Sequence, residues 1–327
     1  MEIFDGKQQT GIRLEGGETV SSNSGSIVVV GSSNMDLVAK AVRIPVVGET
    51  LMGSDFFMVP GGKGANQAVA AAKLGAEVIF VAKLGKDVFA SKSLENFKSV
   101  GISTKHIEQL DGVPSGVAII AIDEQGKNII IVVPGANGKL TPADVDKATS
   151  DIANASVVVA QLEIPIETVE QAAKVAQKNN IPFILDPAPA RPLSDELLSR
   201  VDIIKPNETE AEILTGIKVT DQASAAKAAD VLLGKGVKAV IITLGEKGLM
   251  LATKDHQEMI PSNKVSAVDS TAAGDAFTGS LACRLALGDS LRDAAVYANV
   301  VAAISVTRLG AQPSMPTREE AEVFSVD

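Results

Sequence analysis

Four consecutive apolar residues, Ile27 to Val30, open the folded part of the chain and stop at Gly31. Unbroken hydrophobicity of that length marks a strand buried on both faces. Short β-branched runs of the same kind recur at 77–81, Val157–Ala160, Phe183–Leu185, Ile203–Ile204 and Ala239–Thr243, each bounded by polar residues, Gly or Pro. Apolar positions return at helical spacing over 65–74, Ile166–Lys178, Glu208–Thr215, 223–235 and 276–287. Strand alternating with helix predicts an α/β fold, a doubly wound and mostly parallel sheet with helices on both faces, three layers in all. In such folds ligands sit beyond the carboxyl ends of the strands, so the polar turns there are where chemistry belongs.

Two regions break the rhythm. Residues 36–59 read as two strands around Pro45 to Glu49, and 113–134 as a hairpin, Gly116–Ile122 and Asn128–Val133, about the turn Asp123-Glu124-Gln125-Gly126. Four strands without helices cannot cover themselves, which predicts a small β-sheet lid projecting over the site or pairing with another subunit. Residues 1–25 are polar and rich in Gly, Ser, Thr and Gln, with no apolar signal core. They read as a disordered extension, leaving 26–327 as one folded domain.

Composition narrows the partners. A chain of 327 residues, 46% of them hydrophobic, can bury a substantial core. A net charge of -10 argues against surfaces built for phosphate backbones or anionic lipids, so neither nucleic acid nor membrane is an expected partner. The longest apolar runs, such as 237–244, are strand-sized. Cys283 stands alone, which leaves no internal disulfide or cysteine zinc site and points to a cytoplasmic setting. His106 and His256 lie in no metal-ligand spacing and read as surface or loop residues.

The chemistry-bearing turns each have a plain competing reading. Gly61-Gly62-Lys63-Gly64-Ala65-Asn66 lets backbone approach a ligand closely, but it is neither a Walker motif nor a dinucleotide fingerprint, and alone it is an ordinary Gly-rich loop as readily. From Asp269 to Asp275 two carboxylates flank a run of small residues that opens into a helix. Exposed N–H groups and the helix dipole there suit charge on a transferring phosphoryl group, with Asp275 beside it. Helix capping by Asp275 is the alternative. Asn34 and Asp36 follow the first strand and suit a polyol, or form an Asx turn. Glu163 binds a hydroxyl or pairs with a surface lysine. Asn207 and Glu210, three apart, share a helix face and suit a hydrated Mg2+, unless Asn207 merely caps the helix.

Taken together, six blocks in order and in register resemble the ribokinase branch of the PfkB family of sugar kinases. They are Gly31 to Asp36, Gly61 to Ala68, Asp186-Pro187-Ala188-Pro189-Ala190, Pro206 to Glu210, Asp269 to Asp275, and Gly310 to Ser314. The resemblance runs almost end to end from Ile27. It implies ATP-dependent phosphorylation of D-ribose at the 5-hydroxyl, with Asp275 as base and an anion hole at Ala272, Ala273 and Gly274. Sugar contacts are implied at Asn34, Met35, Asp36, Gly62, Lys63, Gly64, Ala65, Asn66, Glu163 and Asp275. Nucleotide contacts are implied at Asn207, Thr243, Leu244, Gly245, Glu246, Lys247, Gly248, Gly274, Asp275 and Asn299. The family's activating K+ falls by position on Asp269, Thr271, Ser305, Arg308, Gly310 and Ser314, and Mg2+, through water, on Asn207 and Glu210. A homodimer clasped by the lid is expected as well. Ser270, Ala272 and Ala276 depart from the family's commoner residues at their positions.

A kinase for deoxyribose, fructose or a nucleoside is the alternative within the class, since pocket shape selects the acceptor. A nicotinamide-dependent dehydrogenase lacks its phosphate fingerprint after the first strand. A non-catalytic sugar-binding protein would be expected to have lost Asp275 or the small-residue turn, and both are present.

Overall fold

The computed structural model describes residues 10–13, 19–22 and 25–324. Its backbone is a nine-stranded sheet. Seven strands are parallel, in the spatial order Ala239–Thr243, Ile203–Ile204, Phe183–Leu185, Val157–Ala160, Ser26–Val30, Glu77–Gly85 and Ser103–Leu110. Leu249–Thr253 and then Gln257–Ile260 extend it antiparallel at one edge.

The first strand shows why the sheet needs two coverings. Side chains alternate across a strand. Ile27 and Val29 therefore enter one core, with the helices Lys63–Lys73, Ala273–Ala286 and Leu291–Ser305, while Val28 and Val30 enter the other, with Ile166–Lys178 and Gln222–Gly234. All four are 0 to 1% exposed. In the first core Phe80 and Phe97 meet edge to face at 5.4 Å, an arrangement that adds to their area burial.

Six of the strands and two of the helices expected from the pattern have the expected bounds. The strand Ser103–Leu110 was not legible as an apolar run because it alternates with polar residues, Ser-Thr-Lys-His-Ile-Glu-Gln-Leu. His106 lies on this edge strand, partly exposed, with Nε2 2.6 Å from Asp151 Oδ2. His256 is the exposed turn residue expected.

A second sheet of four strands runs in the order Asp55–Gly61, Asn34–Lys40, Gly116–Ile122 and Asn128–Val133. The expected hairpin forms its outer pair, and Asn34–Lys40 joins it in parallel register, Asn34 opposite Gly116. Asn34 follows directly from the first strand's turn, and Gly61 leads directly into Lys63–Lys73. The small sheet is thus rooted in the turns at the carboxyl end of the large one. Residues 10–13 and 19–22 pair antiparallel apart from both sheets; the rest of the extension expected to be disordered lies outside the described residues up to Gly25. Among the described residues no helix is long and apolar enough to cross a membrane.

Candidate active site

The helix that carries Asp275 begins at Ala273, three residues earlier than its apolar pattern predicts. Ala272 holds the N-cap position with φ 60° and no side-chain cap, so Asp275 sits inside the first turn rather than capping it. A left-handed backbone favours glycine by roughly 1–2 kcal/mol, and this explains physically why an alanine at 272 is a departure. The kink leaves the N–H groups of Ala272 and Gly274 without backbone acceptors among the described residues, while that of Ala273 turns back to Ser270 O at 3.2 Å.

Asp275 is 4% exposed, and both its oxygens are held. Asn66 Nδ2 donates to Oδ2 at 2.9 Å and Gln67 Nε2 to Oδ1 at 3.0 Å. Both donors sit on the helix Lys63–Lys73, which the glycine run positions. Gly62 caps it at φ 89°, and a side chain there would meet Asn34 N at 2.6 Å. A Cβ on Gly64 would lie 2.6 Å from Ser32 N, so the loop lies flush against the first strand's turn.

Several expected sugar contacts do gather around this helix start. Asn34 and Asp36 share a face of their strand, next to Gly61. Glu163 accepts from Ser32 Oγ at 2.6 Å and from Lys63 N at 3.0 Å, through the same oxygen, which leaves the other for a ligand. It pairs with no surface lysine. Asn34 Oδ1 accepts from the buried Asn137 at 2.7 Å, so the Asn34 amide presents donors elsewhere. Burial first, then the charges of Glu163 and Asp275, push the Asp36 carboxyl up to about 7. Burial works against the Lys63 ammonium, yet Asp275, Asp186 and Glu163 around it raise its pKa above the ordinary lysine value.

Other expected contacts are spoken for. Met35 alternates to the opposite face of the strand and is 1% exposed, a core residue. The N–H groups of Gly64 and Ala65 go to Ser32 Oγ and Ser32 O. These three tie the lid's root to the sheet instead of facing the polar cluster.

From Asp275 a cleft of about 980 Å³ runs along the carboxyl ends of the strands. It is lined by Asn207, Thr243, Gly245 to Gly248 and Asn299, all expected for the nucleotide, and by Glu210, expected with Asn207 for Mg2+. Leu244 is not among the lining residues; it is 3% exposed and belongs to the core. Gly248, at φ 96°, abuts the backbone of Pro261 and Ser262 and fixes the turn. Asn299 donates to Pro261 O at 2.7 Å and holds the same wall. Asn207 does cap its helix: it accepts from Glu210 N at 2.9 Å while its own N–H donates to Glu210 Oε2 at 2.9 Å. The box fixes both side chains at the cleft's edge.

The six positions expected to hold K+ lie on two stitched segments, the turn from Asp269 to Thr271 and the stretch from the end of the helix Leu291–Ser305 to Ser314. Asp269 accepts from Thr271 N and Oγ1 and, through its other oxygen, from Gly310 N at 2.9 Å. Val268 and Asp269 N–H groups both reach Val306 O, beside Ser305. Arg308 turns its guanidinium to Glu320 at 2.9 Å, so only its backbone is free for an ion, and the hydroxyls of Ser305 and Ser314 donate to Ala302 O and Ala311 O.

Sequence reading missed Gln67, Asn137, Gln161, Asp186 as a site residue, and Lys205. Gln67 donates to Asp186 Oδ2 at 2.7 Å as well as to Asp275, and accepts from Gln161 at 2.6 Å. Lys205 Nζ lies 3.3 Å from Asp186 Oδ2 and 3.2 Å from Gly274 O. Asp186 and Lys205 each follow directly on the carboxyl end of a parallel strand, and the carboxyl-end rule had the power to find both.

A buried carboxylate held by two amides, at the mouth of a cleft with free helix-start N–H groups, suits proton removal beside an anion. The chain is 44% identical to a ribokinase of Haemophilus influenzae over 91% of its length and 98% of that protein's, and 41% identical to a deoxyribokinase of Salmonella typhi over 90% and 96%. A solved structure of Arabidopsis thaliana ribokinase with ribose and ATP superposes with a TM-score of 0.87 at 34% identity, covering 92% of this chain and all of that one. Residues 24–318 match the family described as pfkB family carbohydrate kinase, and the chain belongs to that family.

Proposed function

We propose that this chain transfers the terminal phosphoryl group of ATP to the 5-hydroxyl of D-ribose, giving D-ribose 5-phosphate and ADP. The observation that carries the reading is the fixed carboxylate of Asp275, buried where the cleft meets the lid strand, both oxygens aimed by Asn66 and Gln67. Asp275 accepts the hydroxyl proton as the oxygen attacks phosphorus. The N–H groups of Ala272 and Gly274 face the charge that develops. Little covalent work is required of the protein in phosphoryl transfer; placement and charge stabilisation dominate.

On the sugar side, Asp36 and Glu163 supply acceptors and Asn34 supplies donors, an alternation suited to several adjacent hydroxyls. ATP lies along the cleft, its base toward Asn299 and Thr243 to Gly248 and its phosphates toward Gly274. Asn207 and Glu210 fit Mg2+, which keeps most of its waters and takes few protein ligands; when bound it would neutralise phosphate charge. The oxygen-rich loops from Asp269 and Gly310 fit K+, whose effect would be to stiffen the turn that aims the anion-hole N–H groups. A second copy of the chain over the lid's bare face fits the apolar exposure there. A cytoplasmic setting fits the lone, buried Cys283.

The test is ADP release with ribose, 2-deoxyribose, fructose and adenosine in turn, with and without K+, followed by phosphorus NMR of the product. Ribose should give the highest kcat/KM and a 5-phosphate. Equal efficiency with 2-deoxyribose would move the assignment toward the acceptor of the Salmonella relative.

A further inference from the structure

We propose that Lys205 is a further catalytic residue, its ammonium touching the phosphoryl group during transfer. Lys205 follows the strand Ile203–Ile204 at its carboxyl end, is 4% exposed, and lines the same cleft as Asp275, Gly274 and Asn207. An ammonium has three protons to place. One goes toward Asp186 and one to Gly274 O, at 3.3 and 3.2 Å, which leaves a donor for a ligand in the cleft.

Its position bears on a glycine. The site where a Gly274 side chain would begin lies 3.1 Å from Lys205 Nζ, so a Cβ at 274 would press the ammonium back by a few tenths of an ångström. The small residue therefore admits Lys205 to the helix start, beside the free Gly274 N–H, as well as exposing that N–H. Burying a lysine is costly unless its charge is used. Asp186 offsets part of that cost, but Asp186 is itself shared with Gln67 Nε2 and retains one oxygen, Oδ1, without a partner among the described residues. The pair is thus less than a closed ion pair, as suits an ammonium that takes a third partner when the nucleotide arrives.

In the reaction the bond from the terminal phosphorus to the bridging oxygen breaks, with its electron pair leaving on ADP, and a bond to the sugar oxygen forms. The hydroxyl proton goes to Asp275. Lys205 transfers no proton; it stays an ammonium and balances charge on the phosphoryl oxygens.

The inference rests on the kinase reading, and wild-type turnover of ribose with ATP is its control; without that turnover the kinase reading itself fails. Given it, Lys205→Met should lose about 10²–10³-fold in kcat, the loss typical of one such donor, with ribose KM within about threefold. Binding of ADP with aluminium fluoride and ribose, a mimic of the transferring state, should weaken by a similar factor while ADP alone binds as before. Asp186→Asn, which keeps the ammonium and an oxygen for Gln67, should lose at least tenfold less. The double variant Lys205→Met/Asp186→Asn removes both charges, keeps the test open if the single variant misfolds, and should stay as slow as Lys205→Met. Recovery of kcat in the double variant, or equal losses in the two single variants, would reduce Lys205 to the structural partner of Asp186 and overturn the proposal.

Discussion

Asn66 and Asp275, 209 positions apart in sequence, meet through a 2.9 Å hydrogen bond from the Asn66 amide to Asp275 Oδ2. A donor on each carboxylate oxygen leaves Asp275 one orientation, and the remaining lone pairs are what a sugar hydroxyl meets. Asp275→Asn replaces an acceptor of protons by an amide of nearly the same shape. Turnover should fall by about 10²–10⁴-fold, the range for losing a general base, with the melting temperature little changed. Steady-state ADP release together with thermal unfolding checks this. More than a tenth of wild-type turnover would remove Asp275 from the base role.

Asp36 makes sugar binding sensitive to pH. Its folded pKa is about 7, against 3.8 for the free side chain, because burial and the neighbouring charges of Glu163 and Asp275 oppose ionisation. The folded protein therefore holds a proton that the unfolded chain releases between those values, and stability drops as pH rises from about 3.8 to about 7. Sugar hydroxyls donate best to the ionised form, so kcat/KM for ribose should rise through pH 7. Asp36→Asn should flatten that limb, raise KM, and melt higher than wild type at pH 8 while matching it near pH 4. A limb unchanged in the variant would assign the titration elsewhere.

The sheet was legible because its strands are buried on both faces: Val28 and Val30 on one side and Ile27 and Val29 on the other leave no polar position to blur the pattern. Strands with a wet face, such as Ser103–Leu110, were not. The site was legible where a residue has a local oddity, such as the glycines around Lys63 or the small run before Asp275. Asn137 and Gln67 have none. Asn137 orients Asn34 from 103 positions away, and Gln67 joins Asp186 to Asp275 from within an apolar helix. Their roles are set by what the fold brings opposite them, which no spacing along the chain encodes.

The lid carries a surface that water does not favour. Phe56 is 64% exposed, Ile130 53% and Ile131 59%, all on the small sheet, and Asn128–Val133 is an edge strand. A bare apolar edge of this kind is either covered or prone to aggregate. Wild-type protein should sediment as a dimer at micromolar concentration, and Ile131→Glu should shift it to monomer. Because Ile131 is exposed in the single chain, the variant should change the monomer's stability by no more than about 0.5 kcal/mol. A wild-type monomer, or a dimer indifferent to the charge, would leave the lid without the partner proposed for it.

Ala272 sets a trade-off at the anion hole. Its φ of 60° is forced by the turn that frees the N–H of Gly274, and an L-residue with a Cβ pays for that conformation with about 1–2 kcal/mol. Glycine adopts it freely but loses about 0.4–1 kcal/mol through the greater freedom of its unfolded chain. Ala272→Gly should therefore stabilise the protein by a net of about 0.5–1 kcal/mol, measured by urea unfolding with the m-value unchanged. The gain requires that the left-handed turn exist before nucleotide binds. If the turn formed only around a bound phosphate, the variant would be less stable than wild type without ligand, and the gain would appear only with ADP present. Unfolding with and without ADP separates the two: a preformed turn gives the same difference between wild type and variant in both conditions.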